Sequence, residues 1–135
     1  IMRSTKIVTS FVTSNDKILL LKRSEHVKSM KGLWGAVSGI IEREEEPLER
    51  AKIEIFEEIG AKSDQIRLLK EGQEMTISSP QYPDHQWAVF PFLFSMREQK
   101  VSLNWENSSY VWIEPQEIRK YETVPSLSDV LFNLL

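Results

Sequence analysis

Residues 39–61 read GIIEREEEPLERAKIEIFEEIGA, and the fold is decided in this run. Pro47 stands where a first helical residue is favoured, behind acids that suit a helix N-terminus. From there Leu48, Ala51, Ile55 and Ile59 recur at three- and four-residue steps. That spacing predicts one apolar stripe on a helix, with Gly60 as its stop. Placed on a wheel, Glu54, Glu57 and Glu58 fall on the face opposite the stripe, within little more than one turn. Like charges three and four residues apart repel by a few tenths of a kcal/mol per pair. The macrodipole adds to the discomfort near a helix C-terminus, and Arg50, one turn before Glu54, offsets only part of it. A divalent cation reverses the sign: Mg²⁺ or Mn²⁺ takes hard oxygen ligands, usually one or two carboxylates together with substrate phosphates. The helix alone also fits a merely solvated, glutamate-rich surface.

Outward from this run the chain alternates unevenly between strand and helix. Residues 5–13 and 17–22 are rich in β-branched and aliphatic side chains around the turn pair Asn15-Asp16, which predicts a hairpin. Lys31 to Gly35 is a glycine-marked loop, and Ala36 to Ile41 a short strand. Residues 64–79 read as irregular strand. Residues 87–94 read as a buried strand in which Pro91 demands a bulge or a free edge. Tyr110 to Ile113 is a further strand, and Ser126-x-x-Asp129 before Val130, Leu131 and Leu134 predicts a capped closing helix. With no repeat or linker in sight, one domain spanning 1–135 is expected, of α/β class, a mixed sheet with helices packed on it.

Composition narrows the chemistry. There is no cysteine, which excludes disulfides, thiolate catalysis and zinc ribbons, and leaves sixteen glutamates, four aspartates and two histidines as metal ligands. The net charge is −3. Residues 42–58 hold eight acids against three bases, so that segment carries −5 and the remainder +2. No basic footprint for nucleic acid is present, and no apolar run approaches the ~18 residues of a membrane span. A cytoplasmic protein without membrane or nucleic-acid partners is the expectation.

Read from Gly39, the spacing is Gly39-x5-Glu45-x8-Glu54-Ile55-x-Glu57-Glu58-x-Gly60. This resembles the box of the Nudix hydrolase family, Gly-x5-Glu-x7-Arg-Glu-U-x-Glu-Glu-x-Gly-U with U a bulky aliphatic, at seven of its nine specified positions. Two positions depart: Ile53 stands in place of the arginine, and Ala61 in place of the last aliphatic. The resemblance implies an α/β/α sandwich in which a mixed β-sheet is flanked by helices. It also implies hydrolysis of the diphosphate linkage of a nucleoside di- or triphosphate, or of a nucleoside diphosphate joined to another moiety, with Mg²⁺ or Mn²⁺. By that likeness Glu57 and Glu58 are metal ligands, and Glu54 is a further ligand or the base for the attacking water. The carbonyl of Ser38 is expected to complete the metal site, and Gly39, Glu45 and Gly60 are structural. Lys22 and Arg23 are candidates for phosphate contact, and Asp84 or Glu106 for an extra catalytic carboxylate. His85 and Trp87 either meet a base or serve as a loop histidine and a core tryptophan. Trp34, Trp105 and Trp112 are expected in packing. A homodimer is compatible with the resemblance, although no residue signals one.

The loss of the box arginine keeps a second reading open: a nucleotide-binding or regulatory module of the same fold with weakened chemistry. An acidic helix that binds basic protein partners is a third. The loop residues 62–66, 78–86 and 97–109 carry no pattern that names a substrate.

Overall fold

The computed structural model describes residues 1–135. Strands β1 (Arg3–Ser14) and β2 (Lys17–Arg23) form the expected hairpin. Asn15 and Asp16 both take positive φ, 51° and 63°. This is the two-residue turn whose twist matches the flanking strands and which tolerates these side chains. The two strands stay paired only at Thr13↔Ile18 and Ser14↔Lys17 and then separate. Beyond the split, β3 (Trp34–Gly35) pairs with β2 through Leu21↔Gly35, and β4 (Val37–Ile40) pairs with β1 from Ser10↔Val37 to Ile7↔Ile40. One short stretch of chain therefore crosses from one half of the opened sheet to the other.

Helix α1 (Pro47–Ile59) follows, with Pro47 in its first turn. Gly60 closes it in the left-handed conformation (φ 78°), its N–H bonded to the Phe56 carbonyl at 3.0 Å. Strands β5 (Ile66–Glu71) and β6 (Met75–Ser78) both run antiparallel to β7 (His85–Met96), which lies parallel to β1. Strand β8 (Asn107–Ile113) returns antiparallel to β2. Helix α2 (Leu127–Leu134) closes the chain. No helix is long and apolar enough to cross a membrane.

Two details depart from expectation. Pro91 lies in the interior strand β7, neither on an edge nor in a bulge of its own. It sits where β7 changes partner, between Glu71↔Phe92 on β5 and Met75↔Val89 on β6, while the irregularity falls on β5 between Leu68 and Lys70. The Pro91 carbonyl still accepts the Gly72 N–H at 2.8 Å. Only glycine fits there, since a Cβ on Gly72 would lie 2.8 Å from Pro91 Cγ. The closing helix forms, but Ser126 does not cap it: its φ of 61° is not the extended geometry from which a serine hydroxyl reaches the first-turn amides.

Alternation along the strands gives the sheet two apolar faces. Val8, Val12, Leu19, Leu21, Val37, Phe92 and Phe94 pack beneath Ala51, Ile55 and Ile59 of α1. Phe11, Ile18, Leu20, Ile77, Val89 and Leu93 pack beneath Leu127, Val130, Leu131 and Leu134 of α2. Each fully buried Leu or Ile contributes at most about 1.5–3 kcal/mol, so each helix is held by its stripe rather than by propensity. The result is an α/β/α arrangement, and α1 is fixed against the split between β1 and β2.

Candidate active site

The stripe of α1 brings two of its acids inward. On the helix axis Glu58 and Glu54 flank the stripe rather than oppose it, and both are buried, at 3% and 9% exposure. Glu57 alone occupies the outer face, exposed to solvent but still lining the same cavity. The wheel reading of three acids on one outer surface is corrected accordingly. The angular distance from Ala51 to Glu58 is only about 20°, so burying one buries the other.

Glu106, from the loop before β8, completes the group. Carboxylate oxygens of Glu54, Glu58 and Glu106 all lie within 4.8 Å of one another. The loop holds Glu106 by several bonds. Its N–H donates to Asn104 Oδ1 (3.0 Å), the Asn104 amide donates back to Glu106 Oε1 (3.3 Å), and the Ser24 N–H donates to the Glu106 carbonyl (2.8 Å). Asp84 lies elsewhere and lines no part of the cavity. Asn107 was not anticipated: its buried amide donates to Glu58 Oε1 at 3.1 Å, while the Ser38 N–H reaches Glu58 Oε2 at 3.3 Å. Its only signal was adjacency to Glu106 in a polar run. Gly39 lets α1 approach, because a Cβ there would collide with the Glu54 carboxylate.

The missing box arginine has a counterpart one turn earlier. Arg50 grips Glu45 with two bonds, Nη2 to Oε2 at 2.6 Å and Nε to Oε1 at 3.0 Å. Its remaining Nη1 donates to Glu54 Oε2 at 3.1 Å. Glu45 also accepts the Glu42 N–H at its Oε1 (2.6 Å), which ties the loop before α1 to the same guanidinium. The bond from Arg50 holds the Glu45 carboxyl below its ordinary range, and Glu45 in turn raises the Arg50 pKa. Ile53 points outward, 40% exposed.

Charge in the cavity is otherwise poorly compensated. Burial pushes Glu58 well above the ordinary carboxylate value, with Glu106 and Glu54 adding to the effect. Burial also raises Glu54, against the pull of Arg50. Arg23, at the end of β2, is partly buried beside Glu58 and Glu106. Desolvation lowers its pKa, and its Nε and Nη2 are spent on the Ser29 carbonyl at 3.2 and 2.9 Å. Hard oxygen donors at this separation, buried and short of cations, fit Mg²⁺ or Mn²⁺ by size and chemistry.

The cavity is about 470 Å³. Its carboxylate end adjoins Arg23, Ser38, Gly39 and Asn107, and its other end is walled by Ile7, Ile77, Trp87, Val89, Leu127 and Val130. Of the remaining candidates, neither Lys22, which a register irregularity separates from Arg23, nor His85 lines the cavity. The His85 ring is hydrogen-bonded through Nε2 to the Thr5 hydroxyl (2.7 Å) and packs on Trp87 at 4.7 Å. Trp105, expected in packing, is 62% exposed and lines the cavity beside Glu106.

The family model for the NUDIX domain matches residues 4–134. No curated protein matches the chain. Among solved structures, the MutT protein of Methanosarcina mazei superposes with a TM-score of 0.77 at 21% identity, covering 97% of this chain and 92% of that one. An Ap4A hydrolase of C. elegans gives 0.79 at 16% identity, over 96% and 93% of the two chains. The dihydroneopterin triphosphate pyrophosphohydrolase of E. coli gives 0.75 at 17%, over 97% and 94%.

Two outcomes follow from the site geometry. Arg50→Met frees both Glu45 and Glu54, so Mn²⁺ affinity measured by calorimetry is expected to fall about 10–100-fold, the usual cost of losing an outer partner of metal ligands. Ile53→Arg should leave it within about twofold, as for most surface changes. The second concerns pH. Glu54 and Glu58 bind protons more readily folded than unfolded, so their contribution to stability is complete below the ordinary value of 4.5 and is lost as pH rises through their raised pKa values. Without divalent metal, the melting temperature should be lower at pH 8 than at pH 5, and Glu58→Gln should narrow that gap.

Proposed function

The chain belongs to the NUDIX domain family, and from that premise, with an Ap4A hydrolase and a dihydroneopterin triphosphate pyrophosphohydrolase among its structural neighbours, we propose that it is a divalent-metal-dependent pyrophosphohydrolase. Its proposed substrate is a free nucleoside di- or triphosphate, or a nucleoside diphosphate joined to another group, and its proposed place the cytoplasm. The observation that carries the proposal is the convergence of Glu54, Glu58 and Glu106 in one cavity with only Arg50 and Arg23 as cationic neighbours.

In this reading Glu54, Glu58 and Glu106 hold Mg²⁺ or Mn²⁺, with the Ser38 carbonyl beside them and Glu57 reaching in from the outer rim. The ion supplies charge inversion, so that a polyanion can approach a segment of −5, and Lewis-acid polarisation of the diphosphate. Glu54 is held by Arg50 through Oε2, which leaves Oε1 as a ligand or as acceptor for the attacking water's proton. Its raised pKa suits proton acceptance. Asn107 and the Ser38 amide fix Glu58 from two sides, so it meets its ligand without rearranging. Arg23 keeps one amino group, Nη1, free of protein partners and able to meet a phosphate oxygen. Asn107 and Arg50 act through other residues and are positioning groups. The weakened-module reading rested on Ile53, and the Arg50 bonds to Glu45 and Glu54 favour the enzymatic reading over it.

Phosphate and pyrophosphate release from a panel of nucleoside triphosphates, dinucleoside polyphosphates and nucleotide sugars, with Mg²⁺ and Mn²⁺, tests the proposal. At least one compound should turn over more than about 100-fold faster than with the Glu57→Gln, Glu58→Gln protein. Rates equal to that control throughout would end the enzymatic reading.

A further inference from the structure

The cavity that holds the carboxylates and Trp87 also holds a pair of side-chain hydroxyls with no part in the chemistry above. Thr9 of β1 and Ser38 of β4 are direct cross-strand partners, so their side chains stand on the same face of the sheet. Both line the cavity, and Thr9 is 94% buried at 6% exposure. Neither hydroxyl has a hydrogen-bond partner in the protein, although the Ser38 N–H is bonded to Glu58. Both hydroxyls are thus open to the cavity and available to a polar group that enters it.

Register gives the order of groups along the cavity floor. Ser38 touches Glu58 through its amide, and Thr9 is one strand farther on. On β1, Ile7 comes two residues before Thr9 and faces Val89 of β7. Trp87 faces Thr5, and Ile77 of β6 faces Trp87. Strands lie about 4.8 Å apart and four residues span about 13 Å. The hydroxyls thus line the same cavity as the carboxylates, and Trp87 lies ~13 Å from Thr9 along the floor. The Trp87 ring is steadied edge-on by Tyr82 at 5.9 Å. Phosphate-binding acids, then two hydroxyls, then an apolar and aromatic surface repeat the order of a nucleotide: phosphates, sugar, base.

We propose that the Thr9 and Ser38 hydroxyls bind the sugar of a nucleotide substrate, between the carboxylate end that meets its diphosphate and the Ile7, Val89 and Trp87 surface that meets its base. The inference rests on the hydrolase reading and refines it. A hydroxyl both donates and accepts, as a sugar hydroxyl does. A substrate lacking that group leaves a buried partner unpaired, which discriminates more strongly than apolar contact can. The base, by contrast, meets apolar and aromatic side chains, which tell one ring from another weakly.

The test is kcat/KM with Mn²⁺ for ATP, 2′-deoxy-ATP and 3′-deoxy-ATP, using the native chain, Thr9→Val and Ser38→Ala. Thr9→Val keeps the shape, and Ser38→Ala keeps the backbone carbonyl and amide; circular dichroism melts establish that each is folded. The native chain should disfavour at least one deoxy analogue by about tenfold, and at least one variant should bring that ratio below about threefold. Equal treatment of all three by the native chain, or a ratio unchanged in both variants, overturns the inference. A uniform loss on all three nucleotides also overturns it, since the hydroxyls would then be meeting phosphate. Failure of the native chain to hydrolyse any of them, or any other compound of the panel above, would instead strike the hydrolase reading. Calorimetric affinities for the same three nucleotides, held to the same ratios, then decide the sugar assignment.

Discussion

Three carboxylates drawn into a partly apolar cavity, with too few cations to neutralise them, impose the constraint from which the remaining features follow. Glu54 and Glu58 cannot avoid this position, because the stripe that anchors α1 lies beside them on the helix. Left to itself the cluster resists ionisation, as the raised pKa values of both residues record. A cluster whose ionisation burial opposes, yet which is surrounded by fixed donors suited to its anion, is poised to receive a doubly charged ion.

The fold answers that constraint from several directions. The split between β1 and β2 opens the sheet, and the crossing segment 34–40 carries Ser38 and Gly39 to the carboxylates. Gly39 admits Glu54 by having no side chain. Arg50 couples the loop before α1 to the helix through Glu45, so the entry angle of the helix and the direction of Glu54 are set by one guanidinium. A bidentate pair of this kind specifies geometry beyond what its energy contributes, since arginine's planar fork fits a carboxylate in few orientations. Asn107 and the anchored Glu106 loop close the far side.

Much of this could be read from residue order. The hairpin at Asn15-Asp16, the helix from Pro47 to Gly60 and the closing apolar helix rest on local chemistry, and each formed where periodicity and turn residues placed it. Glu54 and Glu58 were expected opposite the stripe, but at about 100° per residue Glu58 falls only some 20° from Ala51, so both are carried inward with it. Pro91 was misread because its tolerance depends on a change of partner strand, which no local pattern reveals. Arg50 and Asn107 act across five and forty-nine residues of chain respectively. Arg50 was expected only to offset part of the charge at Glu54, and Asn107 was invisible until β8 was seen to begin beside α1. The cavity's apolar end is assembled from β1, β6, β7 and α2, so it belongs to topology alone.

The central claim is that the cluster exists to bind a divalent cation. Anomalous diffraction from crystals soaked in Mn²⁺ addresses it without reference to any substrate. The account predicts a peak coordinated by oxygens of Glu54, Glu58 and Glu106, at about 2.0–2.2 Å as hard-oxygen coordination of a small divalent ion requires. Crystals that take up Mn²⁺ elsewhere, with these three carboxylates unchanged and no density between them, would contradict it.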